Sequence, residues 1–238
     1  MTLAFLDLET TGLINPRILE VGMILADDQL VPFAERSILV DPREDTNTPI
    51  VPHWSELLEP EAFRMHTDNG LLAEIDERAP GDIEMAEEAL LTWLDPFRPA
   101  SEPRGTWPLV GFGVGRYDVP LLARWMPDLL GRFHYRTIDV RTLTEVTRRW
   151  ADFGGAPNPT KKHRALPDCR DALDTLRWWR SRYMPDRSGA EPAAAHQTTH
   201  AITFSGVPGQ LEMHVEPPVY PPAPYQGSQR DAADRNYG

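Results

Sequence analysis

Asp7 and Glu9 sit one residue apart where an apolar run ends, in the stretch Ala4-Phe5-Leu6-Asp7-Leu8-Glu9-Thr10-Thr11-Gly12-Leu13. In an extended strand, residues i and i+2 share a face. The two carboxylates therefore project side by side, while Leu6 and Leu8 point into a core. Acids held close together repel one another, which costs stability unless cations sit between them. Thr10-Thr11-Gly12 then supplies a polar turn. Taken alone, the stretch reads equally well as half of a divalent-metal site or as the solvated acidic face of an edge strand. The rest of the chain favours the metal.

Gly113-Val114-Gly115-Arg116-Tyr117-Asp118 follows a second apolar run, Trp107 to Phe112. Its glycines let the backbone pass close to a ligand. Asp118 falls at a strand-to-helix junction, where it serves either as a ligand or as a helix cap. Further on, His163-Arg164-Ala165-Leu166-Pro167-Asp168 opens a long helical pattern. Proline disfavours helical geometry in the residue before it. The helix is therefore expected to start near Pro167, with His163 on the preceding loop and Asp168 in the first turn. Such a histidine can swing over a metal fixed by the helical acid; the alternative is a solvated loop residue. Asp7, Glu9, Asp118 and Asp168 with His163 suit two Mg²⁺ or Mn²⁺ ions, because hard cations prefer carboxylate oxygens. Two such ions about 3.5–4 Å apart can clamp the attacking and leaving oxygens of a phosphodiester. A neutral histidine with a pKa near ~6.5 can take the proton from the attacking water.

These residues must be positioned by a scaffold. Leu3 to Leu8, Ile18 to Ala26 and Val31 to Val40 read as strands with short links, hence an antiparallel meander. Asp41 to Pro60 is rich in proline and charge and reads as a loop with one helical turn. Glu61 to Ala79 has helix-like spacing, broken at His66-Thr67-Asp68-Asn69-Gly70. Asp82 to Asp95 is a better helix, ended by Pro96 and Pro99. Trp107 to Phe112 is a short strand, Val119 to Trp125 a helix beginning near Pro120, Thr137 to Val140 a strand and Leu143 to Trp150 a helix. Ala151 to Lys162 is a loop. Pro167 to Tyr183 is a long helix with Leu173, Leu176, Trp178 and Trp179 on its buried side. The pattern is α/β with a mixed sheet: a three-strand antiparallel meander plus further strands, flanked by helices. The division expected is a folded domain over 1–185 and a Pro-rich, disordered tail over 186–238, in which Thr203-Phe204 and Leu211 to Val215 form a weak hairpin.

The 238 residues carry 24 Lys and Arg against 36 Asp and Glu, a net charge of −12. That balance argues against tracking along long duplex DNA and is compatible with a short nucleic-acid substrate whose charge is met by metal ions. Cys169 is the single cysteine, so an intramolecular disulfide and a multi-cysteine zinc site are excluded. This fits a reducing, cytoplasmic setting. No signal peptide or bilayer-spanning stretch is expected.

The motifs together resemble the DEDDh branch of the DnaQ-like 3′→5′ exonucleases. The first is Asp7-Leu8-Glu9-Thr10-Thr11-Gly12, the second Tyr117-Asp118, and the third His163, separated by four residues from Asp168. A tyrosine-type relative would place Tyr where Arg164 stands. Within that superfamily the chain is most similar to the oligoribonuclease family, through Met126-Pro127-Asp128-Leu129, Phe133 to Val140, Thr142-Leu143, Arg148-Arg149-Trp150, His66-Thr67 with Gly70-Leu71, and His163-Arg164-Ala165-Leu166. The resemblance spans roughly residues 3 to 183. It implies a ribonuclease-H-like fold, a homodimer, and release of 5′-mononucleotides from the 3′ ends of very short single-stranded RNA. It also implies that Leu13 wedges between bases and that Tyr135 and Arg136 reach the partner subunit's site; His66 is a further candidate for substrate binding. Read from the residues alone, Leu13 serves equally as core, Tyr135 and Arg136 as caps of a helix-strand turn, and His66 as a structural histidine. Asp7 is expected to bridge both ions, Glu9, Asp118 and Asp168 to complete their shells, and His163 to act as general base. A proofreading-type exonuclease on single-stranded DNA shares this chemistry, and a non-catalytic nucleic-acid-binding module is the alternative from another class.

Overall fold

Three strands come first. β1 (Leu3–Thr10), β2 (Ile18–Ala26) and β3 (Pro32–Leu39) form an antiparallel meander. The protein is described by a computed structural model over residues 2–43, 53–98, 105, 107–151, 157, 162–184, 202–205 and 212–215. Every residue of β2 is buried. That explains its near-continuous apolar run, since a strand covered on both faces has no solvent side to alternate with. The two other strands of this sheet, β4 (Trp107–Gly111) and β5 (Phe133–Asp139), run parallel to β1, giving the order β3-β2-β1-β4-β5.

Eight α-helices are present among the described residues: α1 (Trp54–Leu57), α2 (Pro60–Asp68), α3 (Leu71–Arg78), α4 (Ile83–Leu94), α5 (Asp118–Trp125), α6 (Pro127–Leu130), α7 (Val140–Trp150) and α8 (Ala165–Tyr183). Alternation along β1 sorts them into layers. Ala4 and Leu6 belong to a core cluster with Leu90 and Leu94 of α4, Leu122 of α5 and Leu129 of α6. Phe5 faces the other way, into a cluster with Cys169, Ala172 and Leu173 of α8 and Val140 of α7. Burying a Phe or Leu side chain contributes roughly 1.5–3 kcal/mol, so both faces are held by their own core. A third cluster ties α1, α2 and α3 to Leu19 of β2.

Several boundaries differ from the sequence reading. The break in 61–79 is confined to Asn69 and Gly70, so His66 and Thr67 lie inside α2. Gly70 takes a left-handed backbone (φ 79°), and the Asn69 side chain accepts from the Leu71 amide; these two residues make the break. α8 begins at Ala165, two residues before Pro167. Pro167 is its third residue, where an amide lacks an intrahelical acceptor anyway, so proline is tolerated there. α5 begins at Asp118 itself, with Tyr117 as its cap residue. β5 starts at Phe133 rather than Thr137, because Tyr135 and Arg136 bulge out of the ladder: His134 pairs with Pro108 and Thr137 with Leu109. Trp178 and Trp179 are half-buried, whereas Leu173 and Leu176 are buried. Most of the Pro-rich loop before α1 (44–52) and most of 151–162 lie outside the described residues.

The chain divides into two units, Met1–Asp186 and Arg187–Gly238. In the second, β6 (Ile202–Ser205) pairs antiparallel with β7 (Glu212–Val215), Ile202 lying opposite Val215. The expected hairpin is thus present over slightly different bounds. The expectation of disorder for 186–238 falls mainly on residues outside those described.

Candidate active site

Strand register fixes the first two acids. Asp7 lies opposite Gly22 and Glu9 opposite Glu20 across β1 and β2. Phe5, Asp7 and Glu9 share the face on which α8 packs. Gly22 leaves room for that helix: a β-carbon there would fall 2.5 Å from the Ala165 carbonyl carbon. The Cys169 thiol donates to the Gly22 carbonyl at 3.3 Å. The start of α8 thereby rests on β2, and its acid, Asp168, comes beside Glu9.

Asp118 arrives from the other side. β4 passes so close to β1 that a β-carbon on Gly111 would lie 2.6 Å from the Leu6 carbonyl oxygen. The turn after it is held by Gly113, whose φ is +75° and whose amide donates to Asp139 Oδ1 at 3.0 Å. Asp118 Oδ1 then accepts the Leu8 amide at 3.1 Å, between Asp7 and Glu9 in the chain. Cys169 registers the convergence electrostatically: burial, then the fields of Asp7, Asp118, Asp168 and Glu20, push its thiol well above the usual cysteine range.

His163 has a left-handed backbone (φ 51°) on the loop before α8. The Asn69 side-chain amide donates to its carbonyl oxygen. One ligand atom each of Glu9, His163 and Asp168 lies within 4.8 Å of the others. Glu9 and Asp168 are buried and His163 is half-buried. Two buried carboxylates beside one histidine form a donor set that fits a hard divalent cation; Asp7 and Asp118 are not in that group.

The other candidates lie elsewhere. Leu13 and Ile14 are 80% and 78% exposed. Their amides both donate to Glu59 Oε1, at 2.7 and 2.5 Å, so one carboxylate shapes the loop that presents them. Tyr135 (80% exposed) and Arg136 project from the β5 bulge, where Tyr135 stacks on His134 and the Arg136 guanidinium lies 5.2 Å from the Tyr135 ring.

His66 requires a correction: it is fully buried and presents no surface to a substrate. Its Nε2 lies 3.0 Å from the Thr10 carbonyl, which can only accept, so Nε2 carries the proton. Burial is the main cause that holds its pKa below the usual histidine value. The Glu9 carboxylate lies 3.8 Å from the same nitrogen, too far for a hydrogen bond. His66 therefore packs behind Glu9 and supports the end of β1.

Residues that the sequence reading passed over are Glu20, Asn69, Glu59 and Arg164. Glu20 is 2% exposed, and it accepts from Arg164 Nε (3.0 Å), the Ala165 amide (3.0 Å) and the Ser37 hydroxyl (2.6 Å). Burial opposes the Arg164 charge, but Glu20 and then Glu74 more than offset it and leave the guanidinium pKa raised. A lone acid inside the apolar run Ile18 to Ala26 was the available signal, because a buried charge requires a partner. A cavity of about 620 Å³ adjoins this network, bordered by Glu20, Glu74, Arg78 and Arg164; Asp7, Glu9, Asp118 and Asp168 do not line it.

A five-stranded mixed sheet flanked by helices, with carboxylates gathered at the end of its middle strand, defines a ribonuclease-H-like nuclease. The chain belongs to the exonuclease family whose model, RNase_T, matches residues 4–176, and it is an enzyme of the 3′→5′ exonuclease type. It is 31% identical over 194 residues to an oligoribonuclease of Cutibacterium acnes, covering 79% of this chain and 89% of that one. It is 33% identical over 185 residues to the oligoribonuclease of Halorhodospira halophila (76% and 94%) and 34% identical over 182 residues to that of Nitrosomonas europaea (75% and 93%). Among solved structures, a zinc-bound complex of Escherichia coli exonuclease I with single-stranded DNA aligns with a TM-score of 0.56 at 15% identity over 76% of this chain. Exonuclease I from Methylocaldum szegediense aligns with a TM-score of 0.52 at 19% identity over the same share. The chain spans 41% of each of those structures, and at such identity they speak to the fold. Among the described residues no helix is long and apolar enough to cross a membrane.

Proposed function

We propose that the chain is a metal-dependent 3′→5′ exoribonuclease that trims short single-stranded oligoribonucleotides to 5′-mononucleotides, using Asp7, Glu9, Asp118, His163 and Asp168. The observation that carries this reading is the meeting of Glu9, His163 and Asp168 within 4.8 Å, although they come from opposite ends of the folded unit. Asp7, Glu9, Asp118 and Asp168 would hold two Mg²⁺ or Mn²⁺ ions. When bound, such ions polarise the phosphoryl group and lower the pKa of water. His163 takes the proton of the attacking water onto a ring nitrogen as the new P–O bond forms. The bond from phosphorus to the 3′ oxygen of the preceding nucleotide breaks, that oxygen takes a proton from solvent and leaves as the 3′ hydroxyl of the shortened chain, and the released nucleotide keeps its 5′ phosphate.

The Leu13-Ile14 loop binds the terminal bases, with Leu13 as the wedge. Tyr135 and Arg136, exposed on their bulge, serve substrate at the site of a second copy in a homodimer. A net charge of −12 fits substrates with few phosphates. The exonuclease domain spans 1–185, the remaining tail lies outside the catalytic machinery, and the single buried cysteine fits a cytoplasmic location.

Degradation of labelled RNA oligomers of different lengths, and of the matching single-stranded DNA, tests this reading in Mg²⁺ and in Mn²⁺. The expected result is faster release of 5′-mononucleotides from the shortest RNAs, and none from Asp7→Ala. Preference for long DNA would replace the substrate, and substantial turnover by Asp7→Ala would remove the site.

A further inference from the structure

We propose that Arg164, forked between Glu20 and Glu74, is a positioning residue that sets His163 over the acid cluster. The inference rests on the reading of His163 as general base and adds how this chain holds it there.

His163 adopts a left-handed backbone that a side chain with a β-carbon does not keep without restraint. Two restraints flank it. On one side the Asn69 amide grips the His163 carbonyl, while the other end of the same side chain accepts the Leu71 amide of α3. On the other side Arg164 reaches Glu20 through Nε (3.0 Å) and a terminal nitrogen (3.3 Å), and Glu74 through that terminal nitrogen (2.6 Å). Glu20 also accepts the Ala165 amide at 3.0 Å, so one carboxylate holds both residues that follow His163.

The anchor is rigid and well placed. Glu20 lies in β2, a strand buried throughout, and is the cross-strand partner of Glu9. The height of His163 above Glu9 is therefore set from the adjacent strand. A planar guanidinium satisfies two carboxylates at once, which a lysine ammonium on a flexible stem does not reproduce. A general base displaced by about 1 Å can lose on the order of 100-fold in rate.

The test compares wild type with Glu20→Gln/Arg164→Met, which removes both charges and so leaves no buried carboxylate unpaired. The expected result is a kcat lower by roughly 10–100-fold with KM within about twofold, because a base acts on the transition state alone. Mn²⁺ affinity by calorimetry stays at the wild-type value. In the background of His163→Ala, assayed at high enzyme concentration, the pair causes no further loss. Arg164→Lys falls between wild type and the pair. Glu74→Gln, which leaves the Glu20–Arg164 pair intact, shows a smaller kcat loss of the same pattern, and this holds the proposal to account should the double variant not fold. A wild-type kcat in the double variant, a loss confined to KM or Mn²⁺ affinity, or a loss that multiplies with His163→Ala overturns the proposal. Near-normal turnover by His163→Ala itself overturns the general-base reading together with the tether. An inactive His163→Ala beside an unaffected double variant sinks the tether alone.

Discussion

The Leu8 amide donates to Oδ1 of Asp118 at 3.1 Å, joining positions 110 apart in the chain. Leu8 stands between Asp7 and Glu9, so this bond brings the third acid to the first pair. An amide oxygen can still accept from Leu8, so Asp118→Asn removes the charge and keeps the acceptor. Turnover of a short RNA should fall by roughly 100–1,000-fold, the cost of losing one preorganised electrostatic group. The melting temperature should stay level or rise, because one of several mutually repelling acids becomes neutral. Steady-state kinetics and calorimetry on the same preparation check both halves; a melting temperature far below wild type would make Asp118 a structural cap instead.

Chelation probes the same cluster without mutation. Treatment with EDTA should abolish turnover, and Mg²⁺ or Mn²⁺ should restore it. An ion at 100 times its dissociation constant stabilises the native state by about 2.7 kcal/mol. Wild-type protein should therefore melt higher in Mn²⁺, while Asp7→Ala gains much less. The shift is read by thermal melting and does not depend on the nature of the substrate.

Leu13 is 80% exposed, so its side chain adds little to the fold. Leu13→Ala should leave the melting temperature unchanged and raise KM by about 10-fold or less, the scale on which removing a few methylenes weakens an apolar contact. Glu59→Ala should have a similar effect, because Glu59 Oε1 holds the Leu13 and Ile14 amides. Unchanged KM in both variants would take this loop out of substrate binding.

The elements that alternate cleanly were legible in the sequence. β2, which does not alternate, was also read to the residue, since nine buried positions leave a run that is apolar but for Glu20 and Gly22. The placement of Asp7 and Glu9 on one face follows from strand periodicity alone. What one chain read in isolation did not yield was set by contacts between distant segments. Tyr135 and Arg136 interrupt the β5 ladder, and the two-residue bulge hid the first half of that strand. His66 read as a substrate-binding candidate at a break in the helical spacing, but α2 continues through it and turns the ring inward against Thr10. Arg164 and Glu20 lie 144 positions apart, and their pairing has no local pattern to announce it. Pro167 misplaced the start of α8 by two residues, because a third helical position tolerates proline as well as the first does.

Asp171 offers a test through pH. Partial burial, reinforced by Asp174 and opposed by Lys162, raises its carboxyl pKa in the folded state. A raised folded pKa means that the native state holds this proton more tightly than the unfolded chain does. The stability it contributes is fully present below the unfolded value, about 4, and is lost as pH rises through the folded value. At neutral pH the ionised, partly desolvated carboxylate is a cost. Asp171→Asn should therefore melt higher than wild type at pH 7, with the difference shrinking on acidification and vanishing below about pH 4. Melting curves from pH 3 to 8 decide it, and a difference independent of pH would assign the effect to helix propensity.

Gly22 ties the fold to the chemistry most directly. Its cross-strand partner is Asp7, and a β-carbon added to it would sit 2.5 Å from the carbonyl carbon of Ala165 and 2.6 Å from the amide nitrogen of Leu166. Both are backbone atoms at the start of α8 and cannot swing aside as a flexible side chain would. Gly22→Ala must therefore push α8 away from β2, at a cost of about 1–3 kcal/mol for overpacking a filled core. The displacement would carry Asp168 and the preceding His163 away from Glu9, weakening a cluster now contained within 4.8 Å. Activity should then fall by more than the lost stability explains: at a temperature where the variant is fully folded, kcat and Mn²⁺ affinity should both be reduced. Leu25→Ala, in the same strand on the opposite face, is the control. It should cost about 2–5 kcal/mol by opening a cavity, yet its folded fraction should retain near-normal kcat. If Gly22→Ala proved as active as wild type when folded, the seating of α8 on β2 would not be what holds Asp168 in reach of β1.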